Sequence, residues 1–218
     1  MLAKQEIEAA YQRQAKRYDF AVLLYRLIGL RIETYRSRAV ELLQLKRGDF
    51  VIDLGCGTGL NFPHVMEQIG PQGRLIAVDL SAKMLAGAAE RIEREGWNNI
   101  ELVQSDMATY EFPQGINGVL STGAFGFVPE YRRVIEEAAR ALVPGGRLVI
   151  VDGKRPEHWP LWLLRLFVWV SRPFGLTFDY FNTHPWEAVE RLFQDTAFEE
   201  MYGGLLYISA GTAPQFSD

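Results

Sequence analysis

Two patterns of apolar positions alternate along the chain. Short aliphatic and β-branched runs at residues 50–52, 74–78, 100–103, 116–120 and 147–152 read as buried strands. Between them the spacing turns helical. Ile32, Tyr35, Ala39, Leu42 and Leu43 define a helix to about residue 45, ended by Gly48-Asp49. A second helix opens at Gly59 and stops at Gly70-Pro71; a third covers residues 82–95 and stops at Gly96-Trp97-Asn98-Asn99; a fourth covers residues 129–142. Strand and helix in alternation predict an α/β fold with a doubly wound sheet. Near the end, residues 198–201 and 205–210 read as two strands joined at Gly203-Gly204. Two segments stand outside this rhythm. Residues 5–20 read as a polar helix carrying Tyr11, Tyr18 and Phe20, and residues 21–30 are apolar except for Arg26. Residues 159–170 are strongly apolar and aromatic, with Trp159, Trp162 and Trp169 around Arg165. That stretch reads as a buried helix, as a lid over an apolar substrate, or as an interfacial segment dipping into a membrane surface. It is too short to span a bilayer.

The candidate chemistry sits where the first strand ends. Val51-Ile52-Asp53-Leu54-Gly55-Cys56-Gly57-Thr58-Gly59 closes a strand with an acid and continues with glycines at every second position. Glycine has no Cβ, so backbone there can come within contact distance of a ligand. A tight turn without a ligand is the plain alternative. A dinucleotide fingerprint needs G-x-G-x-x-G, and here Leu60 holds the place of the third glycine; a P-loop is excluded because no Gly-Lys-Ser/Thr follows. Acids recur after later strands, at Asp79 and Asp106. A carboxylate accepts two hydrogen bonds and suits a ribose diol. Helix capping beside Asp79 falls to Ser81, whereas a loop cap is the alternative for Asp106.

Composition narrows the class. A chain of 218 residues, 48% apolar and 23% charged, suits one globular domain, with no repeat or low-complexity linker to divide it. A net charge of −4 and a pI of about 5.5 argue against nucleic acid as the main partner. Arg31, Arg36 and Arg38 read as solvated or paired, with a basic rim for a phosphate headgroup as the alternative. Cys56 is the only cysteine, which rules out an internal disulfide or a Cys-rich metal site; its place in the loop suggests packing or ligand contact. The first residues lack the apolar core of a signal peptide, and no stretch reaches the ~18 apolar residues of a membrane span. A cytoplasmic protein is expected, with peripheral contact to the inner membrane surface as an option.

Asp53-Leu54-Gly55-Cys56-Gly57-Thr58-Gly59 resembles the first motif of class I S-adenosylmethionine-dependent methyltransferases. Asp79-Leu80-Ser81-Ala82-Lys83-Met84-Leu85 resembles the second, and Leu142-Val143-Pro144-Gly145-Gly146-Arg147-Leu148 the turn before the fifth strand. The likeness covers residues 45–152 and the flanks loosely. It implies a Rossmann-like, seven-stranded sheet, mostly parallel, that closes with an antiparallel hairpin. It implies a single domain: a helical cap at 1–45, a cofactor-binding core at 46–152, a substrate or lid segment at 153–196 and the hairpin at 197–212. It further implies S-adenosyl-L-methionine as methyl donor, S-adenosyl-L-homocysteine as product, and no metal. By the resemblance, the glycine loop lies against the methionine end, Asp79 takes the ribose, Asp106 the adenine amino group, and Met84 and Met107 pack near the adenosine. The expected cofactor set is Asp53, Gly55, Cys56, Gly57, Thr58, Gly59, Asn61, Asp79, Leu80, Met84, Ser105, Asp106, Met107, Ser121 and Thr122. Tyr18 joins it because Lys16-Arg17-Tyr18-Asp19 resembles a segment whose tyrosine-bearing helix covers the cofactor in small-molecule and lipid methyltransferases; a surface helix is the alternative. Asn117 stands where the superfamily often carries Asp.

The acceptor is less determined. An amine has a pKa of ~10 and must lose its proton before attack; a phenol or carbon acid also needs a base. Candidate bases are Tyr18, Asp152, His158 and His184, against plain readings of the histidines as loop caps and of Asp152 as a strand end. Ser121-Thr122-Gly123-Ala124-Phe125 is expected beside the methyl group, where substrate contacts fall. Arg155-Pro156 resembles both quinone-pathway C-methyltransferases and bacterial phospholipid N-methyltransferases. The quinone group's Gly-Leu-Arg-Asn run after the fourth strand is absent. The aromatic segment, the N-terminal tyrosine helix and the arginines favour N-methylation of an amphiphilic amine such as phosphatidylethanolamine. C- or O-methylation of a quinone or other small apolar metabolite is the alternative, and a non-catalytic cofactor-binding protein is the alternative from another class. Partners are thus a small-molecule or lipid acceptor, and no nucleic acid. The sequence sets no oligomeric state.

Overall fold

The computed structural model describes residues 32–172 and 176–214. The expected N-terminal helix with Tyr18 lies outside the described residues. In chain order the elements are α1 (Ile32–Leu43), β1 (Phe50–Leu54), α2 (Phe62–Ile69), β2 (Arg74–Asp79), α3 (Ala82–Glu95), β3 (Ile100–Gln104), β4 (Ile116–Thr122), α4 (Tyr131–Ala141), β5 (Leu142–Gly153), α5 (Leu161–Ser171), α6 (Pro185–Leu192), β6 (Gln194–Met201) and β7 (Leu206–Thr212). The strands form one sheet in the order β3-β2-β1-β4-β5-β7-β6. The first five are parallel, while β7 runs antiparallel to both β5 and β6. This is the doubly wound α/β sheet with an antiparallel C-terminal pair that the sequence predicts.

The apolar runs form strands because both faces of the sheet are covered. Val51, Leu75 and Val149 pack under α1, α2 and α3 with Ala39, Val65 and Ala88. Their neighbours Ile52, Ile76 and Ile150 face the other way, against Ile135 of α4 and Val189 of α6. Asn117 replaces the commoner Asp at no cost to the sheet, since its side-chain oxygen accepts the Phe50 N–H at 2.9 Å where β1 begins. Charged residues line the edge strand β6, and Arg38 of α1 reaches it with a two-pronged bond to Glu199.

Several boundaries move. The chain turns through residues 57–61 before α2 starts, so Gly59 does not open the helix; its N–H bonds Cys56 O and its carbonyl accepts from Phe62. β6 begins at Gln194, three residues before the expected hairpin, because it pairs with the full length of β7. The 159–170 stretch is helical but is not a buried helix. Leu164 and Val168 of α5 pack on Tyr180, Phe181 and Leu205 in a cluster separate from the two sheet cores. The opposite side of α5 is exposed.

Candidate functional site

β1 lies between β2 and β4, so the chain leaves it in opposite directions and a crevice opens beyond the strand ends. The parallel register levels the tips: Leu54 pairs with Val78 and Ser121, Asp79 with Gln104, and Thr122 with Val151. Acids and hydroxyls from the tips of β1, β2, β4 and β5, and from the loop after β3, therefore fall along one edge.

At the centre, Asp53 is wholly buried. Asn61, the residue before α2, donates from Nδ2 to both Asp53 oxygens at 3.0 Å and lies 3.1 Å from Thr122 Oγ1. Arg36, reaching in from α1, donates from Nη1 to Asn61 Oδ1 at 2.5 Å and to Thr122 Oγ1 at 2.8 Å. One buried network thus joins α1, β1, α2 and β4. Burial pushes the Asp53 carboxyl up to about 7; the Asn61 bond and the Arg36 charge act against that rise, and the Asp79 charge adds to it. Of the expectation that Arg36 is solvated or paired, the solvated half is corrected here: the side chain is buried and bonded to Asn61 and Thr122. Its signal was present in the sequence: residues 36, 39, 40 and 43 form one helical stripe, and the other three are Ala, Val and Leu.

The glycine loop is strapped to β2. Gly55 and Cys56 donate N–H bonds to Val78 O at 2.8 and 3.0 Å. Asp79 Oδ2 accepts from Gly57 N at 2.8 Å, and Oδ1 accepts from Ser81 N at 2.8 Å. Burial raises the Asp79 carboxyl, and the Ser81 and Gly57 N–H groups hold it back. Ser81 caps α3 by accepting from Met84 N, as the sequence predicts. Asp106 Oδ1 accepts from Ala108 N at 2.9 Å, so the loop-cap reading holds for that oxygen.

The expected cofactor set therefore separates into two groups. Gly55, Gly57, Asp79, Leu80, Ser105, Asp106 and Met107 are partly exposed around the crevice. Above Gly57 no atom lies within 4 Å of where a side chain would begin. Asp53, Cys56, Thr58, Gly59, Asn61, Met84, Ser121 and Thr122 are buried beneath or behind it. Ser121 Oγ is committed to Leu54 O at 2.8 Å. The Cys56 thiol is raised by burial, then by the Asp53 and Asp79 charges, so it packs as a neutral thiol.

On the acceptor side, Asp152 is the penultimate residue of β5 and is buried. It accepts from Gly126 N at 2.9 Å, Gly153 N at 2.7 Å and the Tyr180 hydroxyl. Burial pushes its carboxyl up to about 7 against the N–H groups of Gly153, Gly126 and Phe125. In this structure Asp152 is not open to a substrate as the expected base would be; it ties the 3-10 turn Phe125–Phe127 after β4 to the 3-10 turn Phe178–Asn182. The Tyr180 ring fits only because residue 126 has no side chain; a Cβ there would lie 2.3 Å from it. Tyr180→Phe is expected to cost about 1.5–3 kcal/mol by leaving a buried carboxylate one donor short, checked by urea unfolding. No motif marks Tyr180 in the sequence. His158 is exposed in the loop before α5. His184 precedes α6 and has Glu187, at 3.2 Å, and the Trp186 ring as its partners.

A doubly wound sheet with an open glycine loop, an acid at the second strand tip and another past the third defines a Rossmann-like site for an adenosyl cofactor. The chain belongs to the class I S-adenosylmethionine-dependent methyltransferases. The family model described as a methyltransferase domain matches residues 51–146. The 2-phytyl-1,4-naphtoquinone methyltransferase of Thermosynechococcus vestitus is 30% identical over 229 residues, an alignment covering 93% of this chain and 97% of that protein. The demethylmenaquinone methyltransferase of Listeria welshimeri is 30% identical over 148 residues, covering 66% of this chain. Against that relative the chain spans 62% of its length. Among solved structures, a methyltransferase from Aquifex aeolicus superposes with a TM-score of 0.59 at 20% identity, covering 82% of this chain and 89% of that one. A Haemonchus contortus phosphoethanolamine N-methyltransferase, in complex with S-adenosyl-L-methionine, gives 0.64 at 18% identity, covering 82% and 52%. These two likenesses speak to fold alone.

Proposed function

We propose that this protein methylates a ring carbon of a reduced, prenylated naphthoquinone, with S-adenosyl-L-methionine as donor. The observation that carries the reading is the end-to-end likeness to a phytyl-naphthoquinone methyltransferase, 97% of whose length aligns. The state of Asp152 supports it. Binding an ammonium headgroup calls for an accessible negative charge, and among the described residues the carboxylate near the end of β5, Asp152, is enclosed and already accepts from Gly126, Gly153 and Tyr180. That weighs against an amine acceptor such as phosphatidylethanolamine.

The donor set fits an adenosyl cofactor. The partly exposed Asp79 carboxylate suits the ribose diol, Asp106 the adenine amino group and Met107 the ring face, while the backbone at Gly55 and Gly57 faces the methionine end. When bound, the cofactor supplies an electrophilic methyl group. The chain's own part is to position: Asp53, Asn61, Thr122 and Arg36 hold the loop and the β4 tip at fixed separation, and Asp152 with Tyr180 holds the turn that flanks the acceptor. Placement of this kind supplies much of the rate in a displacement between two bound reactants. The acceptor must be in its hydroquinone form, because the oxidised ring is electron-poor at carbon.

The test is to incubate purified protein with labelled donor and either a dithionite-reduced prenyl naphthoquinone lacking its ring methyl or phosphatidylethanolamine liposomes. Label in the ring is expected. Label in the lipid amine would overturn the reading, and donor binding without label in either would point to a non-catalytic binding protein. Asp79→Ala is expected to weaken donor binding by about 1.5–3 kcal/mol, roughly 10- to 150-fold by calorimetry.

A further inference from the structure

We propose that the outer face of α5 docks on an anionic lipid bilayer surface and sets the acceptor side of the enzyme against the membrane. The inference rests, for its purpose, on the reading that the acceptor is a prenylated ring, which is resident in a bilayer.

α5 is apolar on both sides. Leu164 and Val168 face inward onto Tyr180, Phe181 and Leu205. Leu161, Trp162, Leu166, Trp169 and Val170 face outward and are 48%, 66%, 48%, 66% and 54% exposed. A surface helix of a soluble protein carries polar residues on that side. Here the outward charges are arginines only: Arg165 within the helix and Arg172 directly after it. Trp162 and Trp169 are seven residues apart, and so are Arg165 and Arg172, so each pair shares one side of the helix. Tryptophan beside arginine is the pairing favoured at the boundary between headgroups and acyl chains, where the indole is half wet and the guanidinium meets phosphate.

Charge selects the occupant. Arg155, Arg165 and Arg172 are exposed and form no ion pair among the described residues. Elsewhere Arg38 pairs with Glu199 and Arg74 with Glu101. A chain of net charge −4 thus presents a locally positive, aromatic face, which matches an anionic leaflet. Among the described residues no helix is long and apolar enough to cross a membrane, so the face would lie in the interface plane.

Position gives the docking a use. α5 follows the end of β5 and rests on Tyr180, which holds the turn after β4 and the Asp152 carboxylate. The exposed face is therefore on the acceptor side. A cavity of about 290 Å³, lined by Arg155, Pro156, Glu157, Trp159, Leu161 and Leu164, opens beside the first turn of α5. Leu161 belongs to both the outward face and the cavity wall, so the two adjoin at the first turn of α5.

The experiment is flotation of the full chain with vesicles of phosphatidylcholine alone or with added phosphatidylglycerol, without donor or acceptor. Tryptophan fluorescence is followed in parallel. Binding is expected only with phosphatidylglycerol, with a blue shift, and weakened by salt. Trp162→Ser with Trp169→Ser, and separately Arg165→Glu with Arg172→Glu, should each reduce binding at least tenfold. Donor affinity by calorimetry should be unchanged in both. Turnover of a short-chain, water-soluble hydroquinone should persist, while turnover of a long-chain acceptor embedded in vesicles should fall. Wild-type protein that ignores anionic vesicles, or a tryptophan pair variant that binds as well as wild type, overturns the proposal. So does a dimer that the tryptophan variants dissociate, or a face that binds vesicles only once residues 1–31 are removed. Vesicle binding is read without any acceptor, so failure on the hydroquinone would sink the acceptor reading and leave the docking result standing.

Discussion

Arg36→Met is expected to lower stability by about 3 kcal/mol near pH 8, the low end of the cost of breaking a buried charge network from one side. The methionine stem refills most of the volume of the arginine chain, so the loss is electrostatic. Asn61 Oδ1 loses the Arg36 donor, Thr122 Oγ1 is left with Asn61 Nδ2 alone, and buried Asp53 loses its nearby cation. The effect depends on pH with a definite sign. The folded Asp53 carboxyl sits at about 7, above its ordinary 3.8. The folded protein therefore keeps a proton that the unfolded chain releases, and this group's contribution is greatest in acid and declines as pH rises from about 4 through about 7. The Arg36 charge opposes that rise, so without it the carboxyl titrates higher and the decline extends above pH 7. The variant should be nearest to wild type at about pH 5, where Asp53 is protonated in both, and furthest at about pH 8. Urea unfolding at the two pH values reads this directly. An equal loss at both would mean that Arg36 acts through its bonds to Asn61 and Thr122 and not through the Asp53 charge. Donor affinity should fall as well, because Asn61 and Thr122 set the spacing between the loop and the β4 tip.

Gly55→Ala should abolish measurable donor binding, a loss of at least ~100-fold, while costing about 2–4 kcal/mol in folding from left-handed strain plus overpacking. Gly55 has φ +69°, where a Cβ meets the following carbonyl. The added carbon would lie 2.4 Å from the Ala124 Cβ and 3.3 Å from Met107 Cε. Met107 can swing aside. Ala124 cannot, because it leads directly into the turn held by the bond from Gly126 N–H to Asp152. The strain is relieved by displacing the loop or the turn, and both border the crevice. Adding Ala124→Gly to Gly55→Ala removes the contact but not the backbone strain, so it should restore part of the stability and only part of the affinity. Full recovery would show that the left-handed conformation is dispensable; no recovery would show that the contact is harmless.

Much of the architecture was legible along the chain because it is written locally. Five apolar runs, each bounded by turn residues, form strands whatever else happens. An acid followed by alternate glycines can only be a turn that exposes backbone at a strand end. Ser81 as a cap, Asp79 at the second tip and Asp106 at its loop follow from neighbours a few residues away. Helix starts were read less well, since the turn at 57–61 and the late opening of α2 depend on how Gly55 and Cys56 bond to β2.

What the sequence determined by itself was the sheet, its winding and the place of the crevice, since hydrophobic period and glycine placement act over one or two turns of chain. Only the tertiary structure decided that Arg36 is drawn 25 residues across to Asn61 and buried, that Asp152 is closed off by Tyr180 rather than offered to a substrate, and that the second apolar side of α5 faces outward. Each of those outcomes turns on which distant partner reaches a charge or a face first, and a polar group's desolvation and pairing are properties of that meeting, not of the residue.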